Sequence, residues 1–257
     1  MKFDISASIV LYDNQTDMVA RAIRSFLNTE LRVILYLIDN SYTNKLNILA
    51  DNDRIKYFHN PSNPGFGTAH NLAIKIIMDE STYHLVLNPD IYFEPGNLEL
   101  LFSYMERNQN VAHVMPKVLY PDGAIQYLCK NNPTPFDLLV RRFLPGFLKK
   151  IFKKRMDKFE YRDRNYNQEI HRIPYLSGCF MFIRTDVLKK VGYFDERIFM
   201  YIEDADLTRR ILQVADTAYF PEAQVYHHYA KGSYKNWRLT LYNIHGAFIY
   251  FNKWGWF

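Results

Sequence analysis

One alternation constrains this chain more than any other feature. From residue 5 to residue 115, short β-rich apolar runs exchange with segments of helical periodicity. Ile5–Tyr12 and Val33–Ile38 read as strands, and Ile55–Phe58 as a short third one. Between the first two, Val19, Ile23, Phe26 and Leu27 recur at helical spacing, with Thr16 placed to cap that helix. Asn60–Gly67 is a turn-rich loop that leads into a helix over Thr68–Met78. A strand (His84–Leu87), a helix (Gly96–Arg107) and another strand (Val111–Met115) follow. This order predicts an α/β fold with a mostly parallel, doubly wound sheet and helices on both faces. Pro116–Arg172 breaks the rhythm and reads as an insertion or lid, and regular structure resumes at Ile173–Ile183.

Composition narrows the class. Apolar residues at 48% and charged residues at 23% fit a globular protein with an ample core. Two cysteines, Cys129 and Cys179, supply neither a disulfide framework nor a cysteine-based zinc site. No apolar run reaches the length of a membrane span, and the N-terminus enters a strand rather than a signal peptide. The expectation is a cytoplasmic protein.

The net charge of +5 is local. Residues 141–164 hold ten Lys/Arg against three Asp/Glu, a balance of +7, so the remainder carries −2. Within that segment Phe147, Leu148, Ile151, Phe152 and Met156 can share one helical face, with lysines opposite. That is the pattern of an interfacial helix drawn to anionic lipid, which would make the protein peripheral on the inner membrane face. A solvated helix or lid gives the same pattern. No nucleic-acid module frames the patch, so nucleic acid is not an expected partner.

Two stretches carry chemistry. Leu85–Leu87 ends abruptly in Asn88, Pro89 and Asp90, and a strand that delivers an Asp at its carboxyl end is how open α/β sheets build ligand sites. Ile198–Arg210 sets Glu203, Asp204 and Asp206 in an aromatic-aliphatic frame, the setting in which a carboxylate becomes a general base. An acidic helix N-terminus that complements the dipole explains the charges equally well, though not the frame. On a helix Asp206 projects away from Asp204 and can pair with Arg209 or Arg210; otherwise those arginines are free to meet a diphosphate. The Gly65-Phe66-Gly67 loop lacks the third glycine and the position of a dinucleotide fingerprint, which disfavours a dehydrogenase. It still permits close backbone approach to a ligand ahead of a helix N-terminus that favours phosphate.

Taken in order, a set of motifs resembles a family 2 glycosyltransferase of the GT-A fold, in the branch of bacterial rhamnosyltransferases of O-antigen and capsule assembly. The motifs are Ser8–Tyr12, Ile38–Ser41, Asn63–Asn71, Leu87–Asp90, Ser177–Ile183, Val191–Glu196, Phe199–Arg210, and Val225–His228 with Gly232-Ser233. The resemblance covers about residues 3–235, within a domain of residues 1–235, and leaves 236–257 as a C-terminal aromatic segment.

It implies an inverting transfer from a nucleotide-diphosphate sugar to a hydroxyl of a glycan acceptor, lipid-linked in this branch, with dTDP-rhamnose as the donor to try first. It implies a nucleotide site formed by Tyr12, Asp39, Gly65, Gly67, Asn71 and Asn88. It further implies Mg²⁺ or Mn²⁺ held by Asp90 and His227, and Asp204 as the base, supported by Glu203, Asp206, Arg209 and Arg210. Asn88 stands where the family usually carries the first Asp of an Asp-x-Asp motif. For Asp39 an Asx cap on the next turn is the alternative role. If the strand before it continues, His228 faces away from His227.

Two other functions compete. A sugar nucleotidyltransferase would place a Gly-rich basic loop after the first strand, where this chain has Leu11-Tyr-Asp-Asn-Gln-Thr16. A non-catalytic sugar-nucleotide binding module would not need Glu203 and Asp204.

Overall fold

The computed structural model describes residues 2–145, 150–228 and 237–256. Gly232-Ser233 and the Phe147-Leu148-Lys149 part of the basic segment lie outside the described residues.

The expected alternation is present. Strand β1 (Phe3–Leu11) leads to helix α1 (Thr16–Leu27), then β2 (Val33–Asp39), a 3₁₀ turn, β3 (Ile55–His59), α2 (Phe66–Ile77) and β4 (Ser81–Leu87). Next come a two-residue strand β5 (Ile91–Tyr92), α3 (Asn97–Arg107) and β6 (Val111–Leu119). The sheet order is β3-β2-β1-β4, then β10 (Phe180–Arg184), β6, β11 (Asp216–His227) and β5, with β8 (Ile170–His171) pairing β11. β3, β2, β1 and β4 run parallel, and β6 is parallel to β11. β10 lies antiparallel between β4 and β6, so the sheet is mostly parallel and mixed at its far side.

Alternation within the strands fills both faces. Ile5, Ala7, Ile9 and Leu11 pack with Val19, Ile23 and Phe26 of α1, and Leu101, Tyr104 and Met105 of α3 extend that layer. The opposite face meets α2, α6 (Thr185–Val191) and α7 (Glu203–Leu212) through Ile74, Val86, Ile183, Leu188, Leu207 and Ile211. This second face holds buried polar groups as well. Ser8 Oγ bridges His84 Nε2 (2.8 Å) and His70 Nδ1 (2.6 Å), while Ser6 Oγ meets His84 Nδ1 at 2.8 Å. Burial pushes the imidazoles of His84 and His113 down to about 3, and that of His70 well below its ordinary value.

The interruption after β6 is smaller than the sequence suggests, because β6 runs through Pro116 to Leu119. β7 (Cys129–Lys130) pairs with β9 (Tyr175–Leu176) in a separate ribbon. Helices α4 (Pro135–Phe143) and α5 (Lys153–Phe159) pack on each other through Phe136 and Phe152. A full capping box at Thr134 and Asp137 starts α4. Thr16, by contrast, does not cap α1: the cap position falls on Gln15, with no side-chain bond.

The last described helix, α8 (Trp237–Trp254), belongs to the body of the fold. Tyr250 and Phe251 are buried with Tyr175, Ile198, Ile202 and Ala205. Gly246 makes the contact close, since a Cβ there would stand 2.9 Å from the Tyr201 carbonyl oxygen.

Gly65 is required on two counts. Its φ is +97°, and an added Cβ would lie 2.3 Å from the Phe199 carbonyl oxygen. Gly65→Ala should therefore cost about 2 kcal/mol or more of stability. Urea unfolding monitored by circular dichroism checks this, and an unchanged midpoint refutes it.

Candidate active site

The carboxyl ends of β1, β2 and β4 lie side by side, because these strands are parallel neighbours. That edge is where an open α/β sheet places ligands. Tyr12 follows β1 and is 58% exposed. Asp39 ends β2 and is fully buried; its carboxylate accepts from Ser41 N at 2.9 Å and from the Tyr57 hydroxyl at 2.6 Å. The Asx turn weighed from sequence is thus present, with a tyrosine added.

Asp90 and His227 are brought together by strand pairing. The short β5 pairs antiparallel with the end of β11, in register His227 to Ile91, and His228 N donates to the Asp90 carbonyl at 3.0 Å. His227 Nε2 then lies 3.3 Å from Asp90 Oδ1, a buried oxygen without a hydrogen bond. The far side of the imidazole is fixed by Gln126. Its amide nitrogen donates to the His227 carbonyl at 2.9 Å, so Oε1 faces His227 Nδ1 at 3.0 Å. Nδ1 therefore carries the proton when the ring is neutral, and Nε2 presents its lone pair toward the carboxylate. His228 turns elsewhere, with its ring 5.4 Å from that of Tyr92.

The acidic cluster opens α7. The two residues before it, Tyr201 (φ 75°) and Ile202 (φ 72°), are both left-handed, a strained pair for side chains of this size. The surroundings hold them: α8 abuts Tyr201 through Gly246, and Tyr242 stacks on Phe199 at 4.1 Å. Asp204 Oδ2 accepts from Gly178 N at 2.8 Å, and Oδ1 from Ala205 N at 2.9 Å. Glycine at 178 gives this contact room, since a Cβ would lie 3.1 Å from that of Asp204 and require it to shift by a few tenths of an ångström. Glu203 is buried, with Oε2 unpartnered; burial first, and then the Asp204 charge, push its carboxyl well above the ordinary range.

Asp206 faces the other way. It is 1% exposed, accepts from Arg210 Nε at 2.9 Å and Trp254 Nε1 at 2.7 Å, and pairs with Lys253 Nζ at 2.7 Å. Arg210 also donates to the carbonyls of Val191, Gly192 and Tyr193. Arg209 donates to the Tyr250 hydroxyl at 3.0 Å. Both arginines are thus engaged within the fold: Arg210 makes the pairing with Asp206 expected from sequence, and Arg209 binds Tyr250, so neither is free for the alternative contact with a diphosphate.

The remaining loop residues also meet protein. Asn71 clasps Phe194, donating to its carbonyl and accepting from its N–H at 3.0 Å each. Gly67 lets Phe194 approach, and Phe66 N donates to the Phe199 carbonyl at 2.8 Å. The close approach allowed by Gly65 and Gly67 is therefore to residues 194–199, and the first N–H of α2 is already used.

A cavity of about 370 Å³ joins Asn88, Ser177, Gly178, Glu203, Asp204 and His227. Tyr12 and Asp39 lie beyond its lining. Sequence reasoning missed Lys130 of β7, which lines this cavity and is 3% exposed. Its Nζ stands 4.3 Å from the centre of the Tyr175 ring, and burial, then the Arg141 charge, lower its ammonium to about 8. The sole signal was a lysine directly after a cysteine in an apolar run.

The family model for glycosyl transferase family 2 matches residues 6–192. An N-acetylglucosaminyl-diphospho-decaprenol L-rhamnosyltransferase of Mycobacterium tuberculosis is 27% identical over 216 residues, covering 79% of this chain and 69% of that protein. Rhamnosyltransferase WbbL of Escherichia coli is 27% identical over 155 residues, covering 57% and 54%. The solved structure of GalNAc-T7 with UDP, GalNAc and Mn²⁺ superposes with a TM-score of 0.64 at 16% identity, over 89% of this chain and 44% of that one. The sheet is that of the GT-A glycosyltransferases, and the chain belongs to glycosyltransferase family 2.

Proposed function

We propose that this chain is an inverting transferase that moves a sugar, with rhamnose the first to test, from a nucleotide diphosphate to a hydroxyl of a diphosphate-lipid-linked glycan. The observation that carries the reading is one cavity holding Asp204, clamped by two backbone N–H groups, together with His227 and Asn88. The acceptor oxygen bonds to the anomeric carbon, the bond from that carbon to the diphosphate breaks, and the nucleoside diphosphate leaves with the electron pair. The hydroxyl proton goes to Asp204. One displacement inverts the anomeric centre.

Asp204 is the better base of the adjacent pair. Glu203 has its carboxyl pushed well up by burial, which favours its protonated form and makes it the weaker candidate to accept a proton. The N–H groups of Gly178 and Ala205 orient the Asp204 carboxylate in the cavity. Tyr12 and the Asp39–Tyr57 pair at the strand ends supply surfaces for the nucleotide base.

A divalent cation fits between Asp90 and His227. A buried carboxylate oxygen with no hydrogen bond faces an imidazole lone pair, and two ligand atoms on facing groups are what a hard cation shared with phosphate requires. When bound, Mg²⁺ or Mn²⁺ would offset charge on the departing diphosphate. The GalNAc-T7 structure holding Mn²⁺ supports the choice of ion.

The lipid-linked acceptor agrees with the surface. No described helix is long and apolar enough to cross a membrane. Ile151 is 71% exposed beside Lys150, Lys153 and Lys154, and Trp237, Leu241, Ile244 and Phe248 form an exposed stripe along α8.

Three tests follow from these assignments. Asp204→Asn should lower turnover by about two to four orders of magnitude with donor affinity nearly unchanged, whereas Asp90→Ala should weaken donor binding in Mn²⁺. Product formation beside titration calorimetry reads both; near-normal turnover of Asp204→Asn would move the base elsewhere. Glu203 contributes its stability fully below the ordinary glutamate range and loses it as pH rises through its raised value. Glu203→Gln should therefore gain on the wild type in Tm as pH rises from 5 to 8; parallel melting curves would refute this. Finally, the protein should float with anionic vesicles but not neutral ones, and less so as salt rises. Equal flotation would leave the basic segment a solvated face.

A further inference from the structure

A second cavity, of about 460 Å³, adjoins the first and shares Lys130, Arg141, Ser177 and His227 with it. Its other walls come from the segment between β6 and β9, including both packed helices α4 and α5. Four cationic side chains line it: Lys130, Arg141, Lys153 and Arg162. Glu160 is the sole carboxylate among the described lining residues. It accepts from Arg162 Nε at 2.7 Å and lies 3.9 Å from Arg141 Nε, and Lys153 pairs with Asp157 outside the lining, so the positive surplus centres on Lys130.

Lys130 gives that surplus a direction. It is 97% buried, as its 3% exposure shows, and the described structure gives its ammonium no carboxylate at salt-bridge distance. The face of Tyr175 offsets only part of the lost hydration. A buried cation of this kind is costly unless an anion meets it. The cation lies in the wall common to both cavities, next to the candidate base.

We propose that the second cavity receives the phosphate through which the acceptor sugar is carried, with Lys130 and Arg141 gripping it and Lys153 and Arg162 drawing it in. This deepens the transferase reading above and rests on it. The donor's diphosphate is the other source of the same chemistry. It is the lesser claim here, because Asp90 and His227 already form a place for it, and neither Tyr12, Asp39 nor Asp90 lines the second cavity. The elements that build the cavity also carry exposed apolar side chains, which suit a lipid carrier. Phe136 and Leu139 of α4, with Ile151, are 40%, 49% and 71% exposed on the helices and turn that build the cavity. A hydrocarbon chain leaving a bound phosphate would meet them.

Calorimetry with two probes separates the sources. Geranyl diphosphate is titrated in EDTA, and thymidine diphosphate in Mn²⁺. The wild type should bind both. Lys130→Met should weaken geranyl diphosphate by about tenfold or more and leave thymidine diphosphate within about twofold, as expected for one lost charge-assisted contact. Lys153→Glu and Arg162→Glu, both at exposed positions, should act in the same direction and keep the test decisive if Lys130→Met does not fold. Unchanged geranyl diphosphate binding in all variants overturns the proposal. So does loss of thymidine diphosphate binding alone, which assigns the lysine to the donor. Binding is read without turnover, so a failed transferase assay and a failed pocket are separate results.

Discussion

A single buried carboxylate, Asp206, holds the active half of this molecule in shape. It binds the guanidinium of Arg210, the ammonium of Lys253 and the indole of Trp254 at once. Arg210 carries the link onward to three carbonyls at the end of α6, and Lys253 and Trp254 anchor α8. A carboxylate this deep would be ruinous alone, and with three partners it becomes a joint. The joint fixes α7, and α7 carries Glu203 and Asp204. It also presses α8 against the left-handed turn at Tyr201 and Ile202, so that strain at the cavity edge is held by packing some distance away.

Adjacent carboxyls are thereby given different chemistry. Asp204 reaches the cavity and receives two backbone N–H groups. Glu203, one residue earlier, lines the same cavity but is buried and finds no partner for Oε2. The difference comes from helix geometry, which turns consecutive side chains about 100° apart, and from the glycine at 178 that lets the strand side approach. The same economy of placement holds for Asp90 and His227. These residues are 137 positions apart in the sequence, and the register of a two-residue strand against the end of β11 brings them together.

The α/β alternation was readable because each strand and helix writes its period locally: Ile5, Ala7, Ile9 and Leu11 alternate, and Val19, Ile23 and Phe26 recur at helical spacing. The helix start at Thr16 was misread because a capping residue type occurs there without the geometry. The glycines at 65 and 67 were recognised as sites of close approach, yet what approaches is the chain at 194–199, which no local pattern reveals. Asp90 at a strand end and Asp204 in an apolar frame stand out from local pattern, whereas His227 and the assignment of roles come from the ordered motifs of the family, and spacing alone would not join them. Lys130 escaped notice because its burial is created by β7 pairing with β9, 45 residues later, and by α4 closing over it. Long-range pairing of that kind leaves almost no mark on the residues involved.

The buried Ser6–His84–Ser8–His70 network beneath α2, together with His113, has a consequence for the acid side of the stability curve. The unfolded chain takes up protons on these imidazoles near their ordinary value, while the native state, with His84 and His113 at about 3 and His70 far down, refuses them. Their contribution is intact above that ordinary value and is lost as pH falls below it. Glu203 has the opposite sign and weakens the fold as pH rises. The chain thus carries an acid limit written in histidine on one face of its sheet and an alkaline liability written in a single glutamate beside its base. Its working range is the interval between two sets of protons, one that the fold will not accept and one that it will not release.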